Sequence, residues 1–260
     1  MAAKSASVTI ARDAYDAVIF DLDGVITRTA KTHAAAWKAM FDEYLQRHAA
    51  AHGEPFRPFD MDHDYRRYVD GKPRYDGVAS FLASRGIHLP HGSPDDPPQK
   101  ETVCGLGNRK NELFLQMVAQ GGVEVYPSTV DLIRDLRAGG FKTAVVSSSK
   151  NTATILDAVR MNDLFDARVD GADAAHLGLK GKPAPDTFLE AATRLRIDPG
   201  RAVVVEDAIS GVQAGRQGQF KCVIGVDRTG HPEALEAAGA SVVVSDLAEV
   251  AVEPEPRTNA

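Results

Sequence analysis

The chain has 260 residues, 43% of them hydrophobic and 25% charged, which is ordinary globular usage and excludes disordered and low-complexity architectures. Thirty basic residues against 36 acidic ones leave a formal charge of −6. No basic run offers a phosphate-tracking stripe, so nucleic acid is excluded as a partner. Only Cys104 and Cys222 are available for soft-metal or redox chemistry, which rules out a disulfide framework and a cysteine zinc site. Residues 1–10 hold no apolar signal segment and the later apolar runs are too short to span a bilayer. The expectation is a cytoplasmic monomer with no membrane partner.

Taken in chain order, a short apolar run over 18–20 predicts a strand that ends in Asp21-Leu22-Asp23-Gly24, and a helical pattern follows over 32–47. Residues 49–64, rich in His, Pro and Asp, read as loop or partial helix. Residues 75–85 look helical, 89–98 form a Gly/Pro/Asp loop, and 108–120 are helical again. Residues 30–125 therefore offer helices and loops but no strand. Beyond Pro127 the chain alternates. Helices are expected over 128–138, 152–161, 186–196, 209–217 and 232–238, with strands over 141–146, 167–169, 202–205, 221–226 and 241–244. Such alternation specifies a parallel sheet covered by helices on both faces. The predicted fold is α/β, a doubly wound, Rossmann-like parallel sheet with an inserted helical cap domain. Residues 1–29 and 127–260 would form the α/β core domain and 30–126 the cap.

In an open parallel sheet the functional crevice lies at the carboxyl ends of the strands, so the polar residues that follow each apolar run are the candidates. They are Asp21 and Asp23; Ser147, Ser148, Ser149, Lys150 and Asn151; Lys182 in a loop before a later helix; and Glu206 with Asp207. Each has an ordinary alternative. Asp-x-Asp-Gly is common turn chemistry, the serines can cap a helix, Lys182 can be a solvated loop lysine, and Glu206-Asp207 can favour a helix dipole. All four sites fall in the same structural slot, which favours a shared site. Converging carboxylates make the hard oxygen environment that Mg²⁺ prefers. Lys182 adds a fixed cation, and Ser147 with nearby backbone N–H groups can donate to phosphate oxygens. Such a set suits phosphoryl transfer: one carboxylate attacks phosphorus, and a second moves the proton of the leaving oxygen.

Three patterns are set aside. His48 and His52 lack a third ligand and the Glu of a zinc helix. Asp60-x-Asp62-x-Asp64 starts like a calcium loop but has Tyr65 where the glycine belongs. Gly105-x-Gly107 follows no strand, which argues against a dinucleotide loop.

Asp21-Leu22-Asp23-Gly24-Val25, the Ser147 cluster, Lys182-Pro183 and Glu206-Asp207 resemble the four ordered motifs of the haloacid dehalogenase superfamily. That resemblance implies Asp21 as nucleophile, Asp23 as acid/base, Lys182 as phosphate clamp and Asp21, Asp23 and Asp207 as Mg²⁺ ligands, with Glu206 beside them. Residues 21–38, Gly71-x-x-Arg74, Arg109-Lys110-Asn111, Ser147 to Asn151 and residues 182–186 are similar to beta-phosphoglucomutases. The resemblance implies that Arg74 and Lys110 reach the substrate from the cap and that Thr29, His33 and Trp37 lie near the acid/base and hinge. It further implies that Gly71 belongs to the substrate-binding patch and that Ser147, Ser148, Ser149, Lys150 and Asn151 hold phosphate and sugar. The chain departs from the pattern at Arg28, Asp70 and Gly77, where Asp, Lys and Ser are usual. The implied activity is a Mg²⁺-dependent interconversion of β-glucose 1-phosphate and glucose 6-phosphate through a phosphoaspartate and a bisphosphate. A sugar-phosphate phosphatase is the alternative, and the partner is a small sugar phosphate.

Overall fold

The computed structural model describes residues 8–253. Near-continuous apolar runs, the mark of strands buried on both faces, form β2 (Ala17–Asp21), β3 (Lys142–Val146), β5 (Ala202–Glu206) and β6 (Cys222–Val226). With β4 (Ala167–Val169) and β7 (Val242–Val244) they make a six-stranded sheet of order β4-β3-β2-β5-β6-β7. Every neighbouring pair is parallel. A separate two-stranded sheet pairs β1 (Val8–Ala11) with β8 (Val250–Glu253) in parallel. Neither of those two strands is expected from the sequence.

From β2 the chain builds outward to β3 and β4, then returns to the other side of β2 for β5, β6 and β7. The reversal places a crevice at the carboxyl ends of β2 and β5. The covering helices are α4 (Pro127–Ala138), α5 (Thr152–Ala158), α6 (Gly171–Leu177), α7 (Asp186–Leu195), α8 (Ile209–Gln217) and α9 (Pro232–Ala238). Phe188, Ala191 and Leu195 of α7 and Val212 of α8 pack with Ile19, Val146 and Val204 of the sheet.

Helix α6 is a further element that the sequence reading lacks. Asp170 starts it, accepting from the N–H groups of Ala172 and Asp173, and it buries no residue, so it carries no apolar periodicity. Helix α5 ends at Ala158 rather than Met161.

Residues up to Arg28 and from Glu124 on form one compact unit, and Thr29–Val123 forms the other. The division falls one and three residues earlier than the sequence-derived boundaries. Two contacts explain the shift. The Arg28 N–H donates to the Glu124 carbonyl at 2.8 Å and the Tyr126 N–H to the Ile26 carbonyl at 2.9 Å, pairing the outgoing and returning segments as a short ladder. Thr29 instead belongs to the helix that follows, its carbonyl accepting from the His33 N–H at 2.8 Å.

The second unit contains α1 (Ala30–His52), a π-helical turn over Tyr65–Val69, α2 (Arg74–Ser84) and α3 (Val103–Gly121). Helix α1 runs through Ala49 to Ala51, good helix formers, and stops at Gly53 with φ +68°. Helix α3 starts five residues before the expected point because Thr102 caps it, accepting from the Gly105 N–H at 3.0 Å. Both glycines of Gly105-x-Gly107 are packing residues. A Cβ at Gly105 would lie 2.1 Å from the Lys100 carbonyl oxygen, and one at Gly107 would lie 2.7 Å from the Tyr75 ring. The core of this unit is rich in rings, with Trp37, Phe41, Tyr44, Phe59 and Phe81 in one cluster alongside aliphatic residues such as Leu82 and Leu106. Cys104 in α3 and Cys222 in β6 are both buried, one in each unit, and neither is in a disulfide. No helix among the described residues is long and apolar enough to cross a membrane.

Candidate active site

Parallel register sets the first three residues of the site. Asp21 closes β2 opposite Val146 of β3, Ser147 follows that valine directly, and Glu206 closes β5 on the other flank. The carboxyl ends of three adjacent strands thus deliver Asp21, Ser147 and Glu206 to one rim, with Asp21 in the middle. The Lys182 ammonium donates to both Asp21 Oδ1 and Glu206 Oε1. Lys182 is 2% exposed, Asp21 6% and Glu206 0%.

Charges buried this deeply are costly unless paired. Burial works against the Lys182 ammonium, but Asp21 and Glu206 outweigh it and hold the lysine charged. Burial raises the Asp21 carboxyl well above the ordinary range; Lys182 opposes that rise, while Glu206 and Asp23 add to it. One ammonium does not offset the carboxylates gathered around it.

Local backbone chemistry fixes the other members. Glu206 Oε2 accepts from the Ala208 N–H at 2.7 Å, and its other oxygen lies where a Cβ of Gly211 would stand. Glycine is therefore required at the start of α8 for the buried carboxylate to lie against the helix. Gly24 has φ +89°, and a Cβ there would fall 1.8 Å from Asp207 Oδ2. Asp207 is thereby packed against the turn that follows Asp23. Ser147 Oγ donates to Asp23 Oδ2 at 3.3 Å and accepts from the Ser149 N–H at 3.1 Å. The serine cluster organises itself rather than capping α5: Ser149 Oγ accepts from the Asn151 N–H, and Asn151, at the N-cap position, makes no side-chain cap bond. Ser148 and Asn151 are half-buried and Lys150 is exposed.

Among the described residues, no three His, Cys, Asp or Glu side chains stand ready-made as a metal cluster. The donor chemistry nonetheless fits a hard cation. Asp21, Asp23 and Asp207 are oxygen donors on one turn and its neighbour, and burial leaves Asp21 short of positive charge. Glu206 is already engaged through both oxygens.

In the second unit the structure gathers another set. The His33 ring stacks on Phe114 at 3.9 Å between centroids, and its Nδ1 lies 2.5 Å from Lys110 Nζ. Lys110, 5% exposed, also stands 5.0 Å from the ring centres of Trp37 and Phe114. A Cβ at Gly77 would meet the Trp37 ring at 3.2 Å, so the absent serine at that position leaves room for the indole. Arg74 opens α2; its Nη2 lies 3.3 Å from both the Tyr75 hydroxyl and Asn108 Oδ1, and its Nε is buried without a hydrogen-bond partner. Thr29 is buried, and Gly71 has φ +68°. The patterns set aside behave as ordinary structure. His48 and His52 stack on each other at 4.1 Å, and Asp60 accepts from the Asp62 and His63 N–H groups.

Sequence reading missed Arg228 and Tyr126. Arg228 Nε donates to the Gly24 carbonyl at 2.9 Å, and its guanidinium lies 3.7 Å from the centre of the Tyr126 ring. Arg228 follows β6, so the strand-end rule applied to that strand would have found it.

The sheet order and the strand-end charges define the class of fold, an α/β protein with its candidate site at the switch point. Residues 15–219 match the haloacid dehalogenase-like hydrolase family, and the chain belongs to it. It is 50% identical over 239 residues to the beta-phosphoglucomutase of Mycobacterium bovis, spanning 90% of each chain. The identity to the beta-phosphoglucomutase of Bacillus subtilis is 32%, over 91% of this chain and 92% of that one. Among solved structures, a hydrolase from Pseudomonas syringae superposes with a TM-score of 0.70 at 25% identity, covering 90% of this chain and 95% of that one.

Proposed function

We propose that this enzyme is a phosphotransferase acting on sugar phosphates, and specifically that it interconverts β-glucose 1-phosphate and glucose 6-phosphate through a phospho-Asp21 enzyme and a bound bisphosphate. One observation carries the reading: Asp21 ends the central strand against Lys182 and Glu206, in a chain half identical to a beta-phosphoglucomutase along nine-tenths of its length.

The Asp21 carboxylate attacks phosphorus, and the Lys182 ammonium offsets charge on the phosphoryl oxygens as the P–O bond to the sugar breaks. Asp23, held by Ser147, gives a proton to the leaving oxygen and later takes one from the acceptor hydroxyl. Mg²⁺ held by Asp21, Asp23 and Asp207 would supply further charge compensation to the phosphoryl group. Glu206 is then the counter-ion that keeps Lys182 charged and in place. Ser148, Ser149, Lys150 and Asn151 are assigned to phosphate and sugar. In the helical unit, Arg74 and Lys110 are the cations assigned to the sugar phosphate, with His33, Trp37 and Gly71 as further substrate-binding residues and Thr29 assigned to the catalytic group. A cytoplasmic setting is part of the same proposal.

The test is an incubation with β-glucose 1-phosphate, Mg²⁺ and a catalytic amount of β-glucose 1,6-bisphosphate. Glucose 6-phosphate is expected without matching inorganic phosphate. Inorganic phosphate without isomer would overturn the mutase in favour of a phosphatase. Asp21→Ala is expected to lower turnover by at least about 10⁴-fold; an active variant would remove Asp21 from the chemistry.

A further inference from the structure

We propose that Arg228 is a positioning residue for proton transfer, acting through the Gly24 turn on Asp23; this rests on the reading of Asp23 as the acid/base. Gly24 sits at φ +89°, a conformation that glycine reaches freely and therefore leaves just as freely. Three contacts remove that freedom. The Gly24 N–H donates to the Thr27 carbonyl at 2.7 Å, the Asp207 carboxylate fills the space where a Cβ would be, and Arg228 Nε donates to the Gly24 carbonyl at 2.9 Å. The last is the contact that comes from outside the turn and its metal-binding neighbour.

Arg228 is itself well anchored. Asp227 Oδ1 accepts from the N–H groups of Thr229, Gly230 and His231 at 2.9, 2.8 and 3.1 Å, which shapes the loop after β6. The guanidinium also donates to the Ser245 carbonyl at 3.4 Å, lies 3.8 Å from Asp246 and covers the Tyr126 ring. Arg28, one of the departures from the family pattern, lies 4.9 Å from the centre of the same ring and pairs with Glu124 at 3.9 Å. Tyr126 thus carries two guanidinium contacts, and its N–H is tied to Ile26, two residues beyond Gly24. Through Arg228, the turn bearing Asp23 and the ladder of residues 26–28 with 124–126 share one fastening. The Asp23 carboxyl must stand within hydrogen-bond reach of the departing oxygen as Asp21 bonds to phosphorus, and a displacement of about 1 Å can cost about 100-fold in rate.

A leaving-group comparison separates positioning from a merely structural role. A sugar alkoxide needs a proton as its P–O bond breaks, whereas nitrophenolate leaves without one. Arg228→Ala is expected to lower kcat for β-glucose 1-phosphate by about 10- to 100-fold while changing the single-turnover rate of nitrophenolate release from p-nitrophenyl phosphate, which ends at phospho-Asp21 before any acceptor is deprotonated, less than about threefold. Arg228→Lys, which keeps a donor, should recover part of the loss. Equal losses on both substrates, or no loss, would overturn the proposal. Should Arg228→Ala fail to fold, Arg228→Lys and Tyr126→Leu are read by the same ratio. Asp23→Asn, run in parallel, keeps the two readings apart. If Asp23→Asn shows the leaving-group contrast and the Arg228 variants do not, the positioning role alone fails. If Asp23→Asn shows none, the acid/base reading fails and the positioning role with it.

Discussion

The two units hold themselves together by different means. Around the sheet the packing is aliphatic, with Ala17, Ile19, Val146, Val204 and Leu195 in a cluster that has Phe188 and Phe220 as its rings. In the helical unit five rings are set among aliphatic side chains, and Phe41 stacks on Trp37 at 5.3 Å and on Phe59 at 5.2 Å. Hydrogen-bonded register fixes strand ends whatever the buried side chains are, as long as they fill the space. Rings with no ladder behind them fix a position through shape alone. Chemistry placed at strand ends therefore tolerates changes in packing, whereas residues such as His33, Trp37 and Lys110 depend on the fit of their neighbours.

The largest effect expected from breaking this comparison is at Lys182. Lys182→Met would leave Asp21 and Glu206 buried together without their cation, costing about 3 to 5 kcal/mol of stability in the α/β unit. Trp37 is the single tryptophan of the chain and lies in the ring cluster, so its fluorescence reports the helical unit while circular dichroism reports both. The lysine variant should shift the dichroism transition in urea and leave the fluorescence transition in place. Coincident shifts would show that the units unfold together and would remove the contrast.

Phe81, fully buried at the centre of the ring cluster, gives the converse case. Phe81→Ala should cost about 3 kcal/mol, seen first in Trp37 fluorescence. A shift confined to the dichroism signal would contradict the assignment of that cluster to an independent core.

The smallest effect concerns pH. Lys100, Thr102 and the Ser93 N–H hold the Asp96 carboxyl down at about 2. A carboxyl lowered in the folded chain stabilises it above the unfolded value of about 4, and that contribution fades as pH falls towards 2. Fluorescence-detected stability should therefore decline between about pH 4 and 2, and Asp96→Asn should flatten part of the slope. An unchanged slope would mean that the loop anchored by Asp96 contributes nothing to this unit.

The same contrast explains what could be read in the sequence. Strands β2, β3, β5 and β6 announce themselves because both faces are buried, and the polar residues after them are visible as the ends of those runs. Strands β1 and β8 each have four residues with mixed burial, and each has its partner at the far end of the chain, which no local window detects. Helix α6 lacked periodicity, although Asp170 and Asp173 form a readable capping box. The early start of α3 was hidden by two glycines whose reason is tertiary, the approach of Lys100 and Tyr75. In the site, Asp21, Lys182 and Glu206 were legible as strand-end and loop charges. That Ser147 bonds to Asp23, and that Arg228 grips Gly24, depends on side-chain directions that sequence spacing does not carry.

The placement of the two cysteines, one inside each unit, gives the molecule a pair of built-in clocks. Burial raises the Cys222 thiol and Cys104 is fully enclosed, so neither reacts as a thiolate until its surroundings open. Under native conditions the labelling rate of each sulfur then measures the opening of its own unit, reported from β6 by one and from α3 by the other. A sugar phosphate that tightens one unit more than the other would slow one clock selectively, so the breathing of the two halves can be followed with no added probe.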